Sequence, residues 1–135
     1  MIKHRVDIRV RYGETDQMGY VHHSNYALYL EEARMDLFRS IGFDCKRLER
    51  EGVIMPVVSL ETRFSIPLRF GDDFTVEVST QAPWNPYMTF SYRLYRDGKQ
   101  VARAKTTLVL ADKATGRLIT DPEEYLEPYY QQLVS

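Results

Sequence analysis

The hydrophobic pattern changes period twice along the chain, and that alternation constrains the fold more than any other feature. From Ser24 to about Ile41, Tyr26, Tyr29, Leu30, Ala33, Leu37 and Ile41 recur at spacings of three and four. Such spacing lines one face of a helix with apolar groups. Glu32, Asp36 and Arg39 fall on the other side. Ser24 is placed as the N-cap, where its hydroxyl would accept from an orphan backbone N–H. Gly42 stands where a C-terminal glycine belongs, and a short helical turn is expected over Asp44 to Arg50.

On both sides of this helix the period is two, as half-buried strands require. Val6, Ile8, Val10 and Tyr12 alternate with Arg5, Asp7, Arg9 and Arg11. Later, Val58, Leu60, Thr62, Phe64 and Ile66 share one expected face; Phe74, Val76 and Val78 share another, as do Phe90, Tyr92 and Leu94. Asp97-Gly98 is a strong hairpin signal, because both central positions of that turn favour positive φ. Ala102, Ala104, Thr106, Leu108 and Leu110 follow on one face, and a tyrosine-rich tail from Asp121 and Pro122 closes with a short helix. The expected class is α+β: about five antiparallel strands curved around one long central helix. Edge strands and leftover apolar faces then invite a partner subunit. No repeat or linker divides the 135 residues, so 1–135 is read as one domain.

Composition removes several function classes. A formal net charge of −1 gives no basic excess for a nucleic-acid backbone. The one cysteine, Cys45, forms no internal disulfide and reads as a small packed hydrophobe. No apolar run approaches bilayer length, so a cytoplasmic protein without membrane insertion is expected.

The residues suited to chemistry lie between the first strand and the helix, from Arg11 to Tyr26. Glu14, Asp16, Gly19, His22 and His23 precede a helix N-terminus, whose unpaired N–H groups and positive dipole end favour developing negative charge. A carboxylate there can attack a carbonyl or deprotonate water, or make a local turn bond. Glu14 either faces solvent or pairs with an arginine. Adjacent His22 and His23 should point apart, and with no cysteine beside them a zinc site is not expected. The absence of a G-x-S-x-G elbow leaves a serine triad without support. The helix tyrosines read as core.

This stretch, with Glu31 and Arg34 in Tyr29-Leu30-Glu31-Glu32-Ala33-Arg34, resembles the hot-dog-fold thioesterases of the 4-hydroxybenzoyl-CoA thioesterase type. It is most similar to their bacterial acyl-CoA thioesterase branch, the one associated with the Tol-Pal system. The resemblance continues through Phe64, Pro67, Gly71-Asp72 and Thr115-Gly116-Arg117. It implies hydrolysis of an acyl-CoA, or of the corresponding acyl carrier protein thioester, without cofactor or metal. It implies Asp16 as nucleophile or general base. The backbone N–H of His23 would polarise the carbonyl, and its imidazole is also implicated in catalysis. Gly19, Tyr20, Val21, His22 and Tyr26 would contact substrate, with Gly19 admitting a close backbone approach and Tyr20 and His22 reshaping the acyl pocket. A homodimer or homotetramer with the site at the dimer interface is implied too. A binding module without turnover is an alternative. A hydratase is weaker, for the chain lacks a D-x-N-x-x-H pattern.

Overall fold

The computed structural model describes residues 1–81, 84 and 86–129. β1 (Ile2–Arg9), β4 (Asp73–Thr80), β5 (Tyr87–Arg96), β6 (Lys99–Val109) and β3 (Val57–Phe64) form one antiparallel sheet in that spatial order. Cross-strand partners meet on matched faces: Val6 lies opposite Val76 and Ile8 opposite Phe74. Phe74, Val76 and Val78 are buried, as are Phe90, Tyr92 and Leu94, so the alternation located the core faces of β4 and β5. The β5–β6 turn has φ of 52° at Asp97 and 77° at Gly98, the positive-φ pair its sequence predicts.

α1 (Ser24–Ser40) packs chiefly on β1 and β4, burying Tyr26, Tyr29, Leu30, Ala33, Leu37 and Phe38. It reaches the far strands through Tyr26 against Phe64 and Arg34 against Tyr92. Ser24 is the first helical residue, and the N-cap is His23. The Ser24 side chain therefore does not cap the helix; its hydroxyl lies 2.8 Å from His22 Nδ1. Gly42 leaves the helix at φ 75°. Arg34 also sits on the buried stripe, only 6% exposed.

Two expectations on strand ends are corrected. Tyr12 lies beyond β1, in a 3-10 turn over Tyr12–Glu14, because the chain bends after Val10 to pair with the segment before β4. The alternating face of β3 is open: Leu60 is 49% and Phe64 54% exposed. β3 is one of the two edges of the sheet, and α1 packs mainly over β1 and β4, toward the other edge.

α2 (Cys45–Arg50) is capped by Asp44, whose Oδ1 accepts from the N–H groups of Lys46 and Arg47. β2 (Val53–Ile54) pairs with β7 (Ala111–Asp112) as a small second sheet. The tail contributes α3 (Glu123–Leu126) and a 3-10 turn, Glu127–Tyr129; the expected tyrosine at 130 lies outside the described residues. Among those residues no helix is long and apolar enough to cross a membrane.

Candidate active site

The loop from β1 to α1 is fastened at both ends. Val10 N–H donates to the Asp72 carbonyl at 2.9 Å, and Gly71 N–H returns to the Val10 carbonyl at 3.1 Å. Glu14 then organises the loop. Its Oε1 accepts from Arg11 N–H and from the Tyr29 hydroxyl, each at 2.8 Å. Its carbonyl accepts from His22 N–H at 2.8 Å and Asn25 Nδ2 at 2.9 Å. Glu14 thus meets an arginine, Arg11, through the backbone N–H, and beyond the readings weighed from sequence it also ties the loop to α1. Burial, and then the bond to Glu14, raise the Tyr29 pKa far above that of an ordinary phenol, so Tyr29 is a fixed donor.

Asp16 sits half-buried at a tight turn. Its own N–H donates to the Tyr20 carbonyl at 2.7 Å, and Gly19 N–H donates to the Asp16 carbonyl at 3.0 Å. Oδ1 accepts from Met18 N–H at 2.9 Å and Tyr20 N–H at 3.2 Å. The local turn bond considered from sequence is therefore present, yet it uses one carboxylate oxygen. Among the described residues Oδ2 receives no hydrogen bond. Gly19 is held at φ 80°, and a Cβ there would meet nothing within 4 Å. The left-handed turn is what requires glycine at this position. Tyr20 is braced from outside, its ring 5.1 Å below the Arg69 guanidinium carbon.

Beyond the turn, Val21 N–H donates to the Leu68 carbonyl at 2.8 Å and fixes the approach to α1. His22 Nδ1 accepts from Ser24 N–H at 3.2 Å, Asn25 N–H donates to the His22 carbonyl at 2.9 Å, and Tyr26 N–H donates to the His23 carbonyl at 3.2 Å. This consumes the neighbouring N–H groups; among the described residues His23 N–H alone of those from His22 to Tyr26 donates to no protein acceptor. The two imidazoles do not point apart as expected. With His23 already helical at φ −56°, they stack at 4.2 Å between centroids.

Asp16, Tyr20, Val21, His23 and Tyr26 line one hollow of about 270 Å³, closed on its far side by Phe64 through Pro67. The Tyr26 and Phe64 rings meet edge-on at 4.8 Å. Gly19 and His22 do not line this hollow: glycine shapes the turn behind it, and His22 faces back toward Ser24. A larger hollow of about 600 Å³ lies on the solvent face of the sheet among Lys3, Arg93, Arg103 and Lys105. Its lining also includes Glu61 and Glu77, whose carboxylates pair with Arg63 and Arg5. Among the described residues no three His, Cys, Asp or Glu side chains are grouped to hold a metal.

A carboxylate oxygen without a partner, an unused N–H at a helix start and an apolar wall form an arrangement suited to acyl transfer. The family description "Thioesterase-like superfamily" matches residues 10–128. An Aquifex aeolicus (strain VF5) protein named for esterase activity is 34% identical over 119 residues, 88% of this chain and 91% of its own. YneP of Bacillus subtilis (strain 168), named for acyl-CoA thioesterase activity, is 33% identical over 109 residues, 79% of this chain and 78% of its own. A DHNA-CoA thioesterase structure from Staphylococcus aureus superposes with a TM-score of 0.90 at 26% identity, covering 97% of this chain and 88% of that one. The chain belongs to the thioesterase-like, hot-dog superfamily. It is accordingly a thioester hydrolase.

Proposed function

We propose that the chain hydrolyses an acyl-CoA to free acid and coenzyme A, with the Asp16 carboxylate acting through Oδ2 as nucleophile or as base toward water. The observation that carries this reading is the division of labour on Asp16, which lines the hollow: Oδ1 is spent on the turn, and among the described residues Oδ2 receives no hydrogen bond. The thioester carbonyl would take the unused His23 N–H, in line with the positive end of α1. As the carbonyl carbon becomes tetrahedral its oxygen gains negative charge, and that N–H stabilises it more than it stabilised the ground state. The thiolate leaves with little need of acid assistance. If Asp16 attacks directly, the mixed anhydride formed is then cleaved by water; if Asp16 is a base, water attacks and the proton passes to Oδ2.

Tyr26, Val21 and Phe64 would form the acyl wall nearest the thioester, with Tyr20 at its rim and the His23 imidazole beside it. A second copy pairing along β3 would cover the open face that carries Leu60 and Phe64, put the site at a dimer interface and complete a sheet curved around the helices. Assignment to the 4-hydroxybenzoyl-CoA type, or to the Tol-Pal-associated branch, is a finer part of this proposal, as is a cytoplasmic location. The test is thiol release from short-chain, long-chain and aromatic acyl-CoAs, and from acyl carrier protein thioesters, by wild type and Asp16→Asn. Turnover of at least one substrate, largely lost in the variant, supports the proposal. Wild type that binds acyl-CoA without turning it over would mean a binding module instead.

A further inference from the structure

On the face of the sheet turned away from α1, strand register gathers positive charge. Val76 and Val78 of β4 are buried on the α1 side, so Glu77 between them points the other way. Pairing carries that row across the sheet: Arg5 stands opposite Glu77, Glu77 opposite Arg93, Arg93 opposite Arg103 and Arg103 opposite Arg63. Two residues along each strand, Lys3, Ser79, Ser91, Lys105 and Glu61 make a second row. All of these except Arg5 line the hollow of about 600 Å³ on this face. Its two carboxylates leave most of the cations unmatched. Glu77 takes Arg5 at 2.9 Å, and Glu61 takes Arg63 at 3.2 Å. Among the described residues the side chains of Lys3, Arg93, Arg103 and Lys105 have no hydrogen bond or ion pair, and all four are exposed. Arg93 and Arg103 are directly opposed like charges, which weakens a sheet unless something neutralises them. The chain's formal net charge is −1, so the excess is local.

Geometry restricts what can neutralise it. Neighbouring strands lie about 4.8 Å apart, and residues of one face recur about every 7 Å along a strand. Arg93, Arg103, Lys105 and Ser91 therefore mark the corners of one small rectangle, three cations and a hydroxyl. The excess ends close by. Toward one end of the face, Arg5 and Arg9 share the next hollow with Asp7, Asp73 and Asp97. Toward the other, β5 and β6 continue with Thr89 and Thr107. A nucleic-acid strand or a membrane surface calls for a basic stripe that runs on. A compact anion of several charges fits this one. Guanidinium forks grip phosphate oxygens in pairs, and a lysine adds a point charge beside them. The volume lies within the ~300–1,000 Å³ of small-molecule sites.

We infer that this hollow binds a polyphosphate, with Arg93, Arg103 and Lys105 as its ligands, Ser91 as a hydroxyl donor and Lys3 at the outer end. The sheet stands between this site and α1, so the inference holds whether or not Asp16 acts on a thioester.

The test is calorimetric titration of wild type with inorganic tripolyphosphate, set against N-acetyl-triglutamate, which carries comparable charge on carboxylates. Tripolyphosphate should bind at least about tenfold tighter than the peptide. Arg93→Gln combined with Arg103→Gln should weaken it at least about a hundredfold, and Lys105→Gln about tenfold. Arg9→Gln removes the same charge outside the hollow, where salt screens it, and should stay within about twofold of wild type. Because Arg93 and Arg103 repel each other in the free protein, the double variant should melt no lower than wild type. It should also lose the rise in Tm that tripolyphosphate gives wild type. ATP bound tighter than tripolyphosphate assigns a nucleoside polyphosphate; ATP bound no tighter assigns the phosphate chain alone. Equal binding by wild type and the double variant overturns the inference, as does no binding to wild type at millimolar concentration. Triglutamate bound as tightly as tripolyphosphate would mean an acidic protein surface instead, and affinity for single-stranded DNA that grows with its length would mean nucleic acid. Altered sedimentation of the double variant would mean that this face joins two copies. Competition of tripolyphosphate with acyl-CoA in thiol release would mean that the row serves the substrate's own phosphates. Each of these four results sinks the separate site.

Discussion

Replacing Asp16 by asparagine and by alanine separates two contributions of the same side chain. Asparagine keeps a side-chain oxygen to accept from Met18 and Tyr20 N–H groups, so the turn should survive while the charge is lost. Thiol release should then fall by about 10²–10⁴-fold, the range for removing a positioned acid or base, with thermal stability near wild type. Alanine should lose comparable activity and also the two turn bonds, costing about 1–3 kcal/mol in denaturant unfolding. Unimpaired turnover in Asp16→Asn would place the chemistry elsewhere. Asp16, His23 and Tyr26 became site candidates through the resemblance; from the residues alone a carboxylate ahead of a helix reads as readily as a turn former, and the helix tyrosines read as core. The role of Glu14 was not legible, since its bond to Tyr29 joins residues fifteen apart and no local period encodes it. The burial of Arg34 was not legible either: the apolar spacing runs through Leu30, Ala33 and Leu37, and Arg34 entered only with the resemblance.

At the scale of elements, β1 is joined to α1 by more than apolar packing. His4 Nε2 lies 2.6 Å from Asp36 Oδ2, which places on the β1-facing border of the helix a residue that periodicity assigned to the polar side. The His4 hydrogen bond holds the Asp36 carboxyl below the usual aspartate range. A depressed folded pKa contributes stability above the unfolded value, about 3.9, and that contribution disappears as the pH falls through the lower folded value. Asp36→Asn should therefore flatten the acid limb of a stability–pH profile measured from about pH 6 to about pH 2.5. With the Asp36 side chain 40% exposed, the difference should stay below about 1 kcal/mol. A profile unchanged by the substitution would count against the link. Periodicity described β4, β5 and α1 well because their neighbours cover one face each. For β3 it gave the alternation correctly and the burial wrongly, since burial depends on which strand ends up at the edge.

For the molecule as a whole, the consequential surface is that edge. Val58, Leu60 and Phe64 are exposed along β3, where backbone groups on one side have no strand beside them. Under the proposed assembly, Leu60→Lys should shift the protein from dimer or tetramer to monomer in sedimentation velocity, with far-ultraviolet dichroism unchanged, and should lower thiol release in parallel. Wild type sedimenting as a monomer at micromolar concentration would remove the interface from the proposal. The strand order carries a different implication, for the time course of folding. β4, β5 and β6 are consecutive hairpins, whereas β1 joins β4 with Val6 opposite Val76. Closing so long a segment is slower than zipping neighbouring hairpins. The Asp16 turn hangs between that late-docking strand and α1, anchored on Asp72 and Leu68. In refolding from urea, amide protection in β4–β6 should thus return before hydrolysis does, and the interval between them should report the docking of β1. Simultaneous recovery would mean that the sheet closes in a single step. A chain still growing from its N-terminus makes β1 first but can use it only after β4 arrives, so its Asp16 turn is specified early and built late.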